Sequence, residues 1–114
     1  MTQEEKSILL KDLCGRLPYG VMMKGVNDDF VLGINTPPTR LLYVLSSLDF
    51  KPYLRPMSSM SRDEWYEFER LEEEIDNHLE SITAKSDWLN KKGFDYRGLI
   101  PMGLALEAPE DMYK

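Results

Sequence analysis

One cysteine and one histidine stand in this 114-residue chain. A lone cysteine makes no internal disulfide, which points to a reducing compartment. A lone histidine identifies no Ser-His-Asp set, and zinc sites need three or four ligands. Long apolar runs are also missing. None approaches the roughly 20 residues that span a bilayer. The polar start, Met1-Thr-Gln-Glu-Glu-Lys6, has no apolar run of the signal-peptide kind, so the expectation is a cytoplasmic protein without membrane contact. The glycines at 15, 20, 25, 33, 93, 98 and 103 form neither a dinucleotide fingerprint nor a phosphate loop. Internal repeats and low-complexity linkers are absent, and no cofactor, metal site or catalytic residue is assigned.

The composition, 42% hydrophobic and 30% charged, is that of a folded chain rather than a disordered one. Its length fits one domain over residues 1–114, long enough to bury a core without a staple. Charge is unevenly spread. Residues 61–80 hold nine acids (Asp63, Glu64, Glu67, Glu69, Glu72, Glu73, Glu74, Asp76 and Glu80) against Arg62 and Arg70, a net of −7. The whole chain carries −6, so the remainder is +1. Such a helix face is either solvated surface, a docking face for a basic partner, or a mimic of nucleic-acid charge.

The local signals order themselves along the chain. Thr2 with Glu5 is a capping box, and Ile8, Leu9, Leu10, Leu13, Cys14 and Leu17 follow at helical spacing, ending near residue 16 at Gly15, Pro18 and Gly20. Two apolar runs around Asn27-Asp28-Asp29 read as a β-hairpin over residues 20–35. Thr36-Pro37-Pro38-Thr39 reads as a turn, and residues 40–45 as a third strand. Residues 48–54 read as a short fourth strand, at an edge because of Pro52 and its neighbour Pro56. Ser61 with Glu64 is a second capping box. Behind it Trp65, Phe68, Leu71, Ile75, Leu79 and Ile82 form one apolar stripe on a helix from about 61 to 81, expected to be core. Thr83 or Ser86 then caps a shorter helix ending at Lys92-Gly93, unless one helix runs through. The apolar tail, cut by Gly98, Pro101 and Gly103, winds over the sheet or the helices. The fold class is α+β. An N-terminal helix precedes a three- or four-stranded antiparallel meander, and two or three C-terminal helices pack on the sheet.

Candidate sites compete with plainer readings. Glu74 and His78 are four apart and offer two metal donors; His78 also borders the stripe, which favours an imidazole used in packing. Cys14 lies on the first stripe and reads as a buried, inert thiol. Asp95, Tyr96 and Arg97 offer an acid, a phenol and a guanidinium, types that carry binding energy at interfaces; the plainer reading has Tyr96 packing and Asp95 capping a turn. Tyr53 and Arg55, with Lys51, interleave aromatic and basic groups; the plainer reading pairs Arg55 with the acidic helix. Tyr53, Arg55, Asp95, Tyr96 and Arg97 are the interaction candidates.

Three segments carry a resemblance: Lys11-Asp-Leu-Cys-Gly-Arg-Leu-Pro-Tyr-Gly20, Lys51-Pro-Tyr-Leu-Arg-Pro-Met-Ser-Ser-Met60, and Asp87-Trp-Leu-Asn-Lys-Lys-Gly-Phe-Asp-Tyr-Arg-Gly-Leu-Ile100 with Gly103-Leu-Ala-Leu-Glu-Ala-Pro109. They resemble a family of small proteins of gut Bacteroides and relatives, and of their phages and mobile elements. The resemblance runs nearly end to end and is loosest over 21–50 and 62–83. It implies no assigned activity, so no functional residue comes with it. Where such proteins often show two histidines after Trp-Leu-Asn, this chain has Lys91-Lys92-Gly93, which argues against metal or catalysis there.

The expected function is that of a non-enzymatic, protein-binding or regulatory protein of a phage or mobile element. The alternatives are an acidic inhibitor that mimics nucleic acid, and an enzyme with a carboxylate and His site. Nucleic acid itself is an unlikely partner, because phosphate neutralisation dominates non-specific binding and no basic cluster is present. Duplex DNA at physiological salt should therefore bind more weakly than the roughly 10⁻⁴–10⁻⁶ M of non-specific binders. An anisotropy titration checks this, and micromolar affinity that falls steeply with salt would mean that Lys51, Arg55, Lys91, Lys92 and Arg97 converge.

Overall fold

The computed structural model describes residues 2–25, 27–47, 50–74 and 77–113. The fold is α+β, with four helices and one four-stranded sheet. Helix α1, Gln3–Arg16, starts at the expected capping box: the Glu5 N–H donates to Thr2 Oγ1 at 3.1 Å and the Thr2 N–H to Glu5 Oε1 at 2.8 Å. Two orphan N–H groups are thereby satisfied. Strands β1, Val21–Lys24, and β2, Phe30–Leu32, form the expected hairpin, pairing Val21 with Leu32, Met22 with Val31 and Met23 with Phe30.

The expected third strand is instead helix α2, Pro38–Ser47. Pro38 sits at the first helical position, where its missing N–H costs nothing. Exposure has helical period: Leu41 is half-buried and Val44 buried, while Leu42 and Tyr43 between them are exposed. A strand would have placed Leu41 and Tyr43 on one face. Short apolar runs do not distinguish the two periods by composition.

Strand β3, Lys51–Leu54, lies inside the sheet, not at its edge; the strand order is β2-β1-β3-β4. Residues 48 and 49 of the expected strand lie outside the described residues. The sheet is mixed rather than an antiparallel meander. β3 is antiparallel to β1, through Met23–Pro52 and Lys24–Lys51, and parallel to β4, Leu106–Glu107. Parallel pairing is open to β4 because a helical crossover separates it from β3. Pro52 has no N–H for the ladder, the reason an edge was expected. One pair along, the far end of the chain bridges the two strands. The Tyr113 hydroxyl accepts from the Met22 N–H at 3.0 Å and donates to the Tyr53 carbonyl. Burial raises the phenol's pKa above its ordinary value near 10, which keeps that donor in place.

Residues 61–81 do not form one helix. Helix α3, Arg62–Glu74, ends before Asn77, whose side chain accepts from the Leu79 and Glu80 N–H groups and opens helix α4, His78–Lys92. Thr83 and Ser86 therefore lie inside α4, not at a cap. The apolar stripe is thus shared between two helices and is not one buried face. Trp65 is 50%, Leu79 72% and Ile82 52% exposed, while Phe68 and Leu71 are half-buried. Ile75 lies outside the described residues. α4 buries Ser81, Trp88, Leu89 and Asn90 instead, and stops at Gly93 with φ +79° as expected. A Cβ at Gly93 would meet the Tyr113 ring at 2.8 Å.

The core is divided. Leu9, Leu13, Val21, Met23, Leu32, Val44, Leu54, Leu99, Leu104 and Ala105 form the main cluster, so α1, α2 and the tail cover the sheet. The C-terminal helices were expected there. They build a second cluster of Trp88, Leu89 and Phe94, with Phe68 and Leu71 against it.

Replacing Tyr113 by Phe removes the shared hydroxyl and leaves a buried donor and acceptor without partners. Urea denaturation should show a loss of about 1–3 kcal/mol, the cost of unsatisfied groups. No change in midpoint would mean that the strands are not joined through that hydroxyl.

Candidate functional site

Arg55 follows β3 and is only 6% exposed. Its Nη1 and Nη2 donate to Glu64 Oε2 and Oε1, both at 2.8 Å, a planar two-point match between guanidinium and carboxylate. Glu64 Oε1 also accepts the Ser61 N–H at 3.0 Å, and Ser61 Oγ accepts the Glu64 N–H, so the second capping box is present. These bonds, that to Arg55 above all, hold the Glu64 carboxyl at about 2, down from 4.5. The guanidinium lies 4.1 Å from the Phe94 ring centroid, and that ring stacks on Trp88 at 5.7 Å. The pairing of Arg55 with the acidic helix, the plainer expectation, is what the structure has.

Asp95 is also buried, and its carboxylate accepts the Leu99 and Ile100 N–H groups at 2.8 and 2.9 Å. It caps the turn, again the plainer expectation. Tyr96 donates its hydroxyl to Asn90 Oδ1 at 2.9 Å and packs its ring near Arg16 and Arg97. Arg97 reaches Asp12 at 3.3 Å and remains partly exposed. Four of the five candidates thus gather where α1, β3, α4 and the tail meet. Tyr53 does not join them; its hydroxyl donates to Asp29 Oδ1 at 3.2 Å, on the hairpin turn.

Beneath this joint lies a pair that the sequence reading missed. Asp12 and Arg16 are both 0% exposed. Arg16 Nε and Nη2 donate to Asp12 at 2.7 and 3.1 Å, and Nη2 also donates to the Phe94 carbonyl at 2.6 Å. Arg16 Nη1 has no hydrogen-bond partner among the described residues. The available signal was an acid and a base four apart on a helix. Periodicity favoured Cys14 and Leu10 for the core, but α1 turns Leu9, Asp12, Leu13 and Arg16 inward. Cys14 is exposed, contrary to the buried thiol expected.

Glu74 and His78 do not share a helix face, because α3 ends at one and α4 begins at the other. The Glu74 side chain lies outside the described residues, and His78 is exposed. Among the described residues no three His, Cys, Asp or Glu side chains gather to hold a metal. No described helix is long and apolar enough to cross a membrane. Arg55 is withdrawn from any basic patch that Lys51, Lys91, Lys92 and Arg97 would build.

Two of the surface clefts among the described residues bear on binding. On α3, Tyr66 with Asp63, Glu67, Glu69, Arg70 and Glu73 lines an open cleft of about 660 Å³. Trp65 and Tyr66 are 50% and 54% exposed there. The second region follows the free edge of β2, an open cleft of about 560 Å³ whose lining includes Tyr19, Val31, Ile34 and Arg40.

No protein-family model matches the chain, and no curated protein or solved structure matches it significantly.

Two outcomes test the joint. Asp12→Ala leaves a buried guanidinium without its counter-charge and should cost about 3–5 kcal/mol by urea denaturation; adding Arg16→Met should restore part of the loss. The Arg55–Glu64 bond should be fully stabilising above pH 4.5 and fade as pH falls towards 2, because the folded carboxyl titrates at about 2 and the unfolded one near 4.5. The gap in Tm between the native chain and Glu64→Gln should narrow through that window. A gap independent of pH would show that the ion pair does not carry it.

Proposed function

We propose that this chain is a non-enzymatic, protein-binding regulatory protein whose α3–α4 hairpin docks on a basic surface of its partner. The observation that supports this is the setting of Trp65 and Tyr66. Each of the two residues is half exposed, beside exposed carboxylates at Asp63 and Glu67, on a helix held at its start by Arg55. Such aromatics carry binding energy when a partner desolvates them. The carboxylates steer a basic surface and raise its association rate. By contrast, Arg55 and Asp95 are spent on internal bonds. The resemblance of residues 11–20, 51–60 and 87–109 to small Bacteroides and phage proteins supports a role in a phage or mobile element.

A second reading uses the same surface. If the partner is a nucleic-acid enzyme, the acids of α3 occupy its basic channel and the chain acts as an inhibitor. What favours it is the concentration of charge, a net of −7 within residues 61–80 of a chain whose remainder is +1. The enzyme reading has no comparable support, since Glu74 and His78 lie on separate helices.

The test is recovery of the partner from the native host, followed by reconstitution from purified components. Glu69→Lys with Glu73→Lys should slow association and flatten its salt dependence. Tyr66→Ala should speed dissociation, weakening binding about tenfold, equivalent to 1.4 kcal/mol. A partner that binds every variant as it binds the native chain would sink the proposal. Inhibition of a reconstituted nuclease or related enzyme would select the second reading.

A further inference from the structure

The two borders of the sheet are built differently. β4 is blunted in the usual ways: it has two residues, an exposed Glu107, and Pro109 and Glu110 directly after it. β2 is less protected: it has three residues, and its nearest charges, Asp28 and Asp29, stand before the strand and not on it. It is the outermost strand at the other border, and residues 30–39 contain no charged side chain. Val31 on this strand is 60% exposed and Ile34 just beyond it 74%. The cleft that follows the strand takes Tyr19 from one side and Arg40 from the other. Helix α2 adds to the same border. Arg40 stands 4.8 Å over the Phe30 ring, and Tyr43, 63% exposed, meets Phe50, which packs edge-on against Phe30.

We propose that the β2 edge pairs with the β2 edge of a second copy of this chain, antiparallel across a two-fold axis near Val31, making one continuous eight-stranded sheet. Three observations choose this occupant. First, the strand is compatible with itself. Pairing about Val31 sets Val31 against Val31 and Phe30 against Leu32, with no like charges opposed; the same operation at β4 would bring Glu107 close to its own copy. Second, charge is segregated. The acids of residues 61–80 belong to the hairpin anchored at β3 by Arg55 and Glu64, two strands away from the β2 edge. Two chains of net charge −6 therefore meet away from their most acidic segment. Third, the apolar surface is wide. It spans a strand, two loops and the outer side of α2, more than one extended peptide covers, whereas a stable interface takes about 800 Å² per partner. The two-fold sets α2 beside its copy, so that Tyr43 is covered along with Val31 and Ile34. The arrangement is isologous and closed, and it leaves the acidic hairpins free at both ends.

The test is sedimentation equilibrium on the full chain over a wide concentration range, with amide hydrogen exchange at its two ends. The expected result is a monomer–dimer equilibrium, with β2 amides protected at high concentration only. Val31→Lys and Ile34→Lys, at exposed positions, should each weaken dimerisation at least about tenfold, the equivalent of 1.4 kcal/mol. Circular dichroism checks that each variant is folded, and the exchange pattern of the native chain decides the matter if one is not. Tyr66→Ala should leave the dimer unchanged. A monomer at every concentration overturns the proposal. So does a dimer indifferent to both lysines, or a monomer whose Arg40 cleft selects carboxylate-bearing extended peptides from a displayed random library.

Discussion

Phe94 is held between two arginines, and the halves of the molecule meet there. Its ring lies under the Arg55 guanidinium and against Trp88, while its carbonyl accepts from Arg16. Its neighbours complete the joint. The Arg55 N–H donates to the Gly93 carbonyl and the Asp95 N–H to the Arg55 carbonyl. Through this one residue α1, β3, the end of α4 and the tail acquire fixed positions. The main cluster and the Trp88 cluster are separate groups of buried residues, and Phe94 belongs to the second.

A joint built on buried charge has a particular energetic character. Each guanidinium loses hydration that only a well-placed anion and carbonyl can replace. Asp12 and the Phe94 carbonyl do this for Arg16, and Glu64 does it for Arg55. Removing one partner is costly because the other stays buried. The arrangement also constrains geometry more tightly than an apolar contact, since forked hydrogen bonds have direction. The start of α3, which bears the exposed Trp65 and Tyr66, is therefore held in register with the sheet.

The consequence is a molecule with two unlike ends. At β2 the surface is apolar and nearly uncharged, suited to a matching strand edge. At α3 it is acidic and aromatic, suited to a basic partner. Separation of charge along the sheet allows both to operate without interference. A dimer through β2 would present two acidic hairpins, which raises the apparent affinity for a partner with two basic sites.

The sequence by itself determined whatever depends on residues within about four of each other. Both capping boxes, the hairpin around residues 27–29 and the stop at Gly93 are where local chemistry puts them, because each rests on hydrogen bonds or backbone freedom that neighbours supply. The plainer role of Asp95, a carboxylate four residues before an N–H, was legible for the same reason; that of Arg55, nine residues from Glu64, was legible from opposite charge. Only the tertiary structure decided the rest. Residues 41–44 have strand-like composition, and it is Leu41 and Val44, about one helical turn apart, that join the main cluster. Pro52 lies in the middle of the sheet, where Tyr113, some 60 residues from Tyr53, bridges the next pair along through its hydroxyl. The stripe was divided where Asn77 opened a second helix, and Trp65, in the first turn of α3, stayed half exposed. On α1 two faces were apolar enough to be core, and the one chosen carried Asp12 and Arg16, because a carbonyl near the far end of the chain was there to receive the guanidinium.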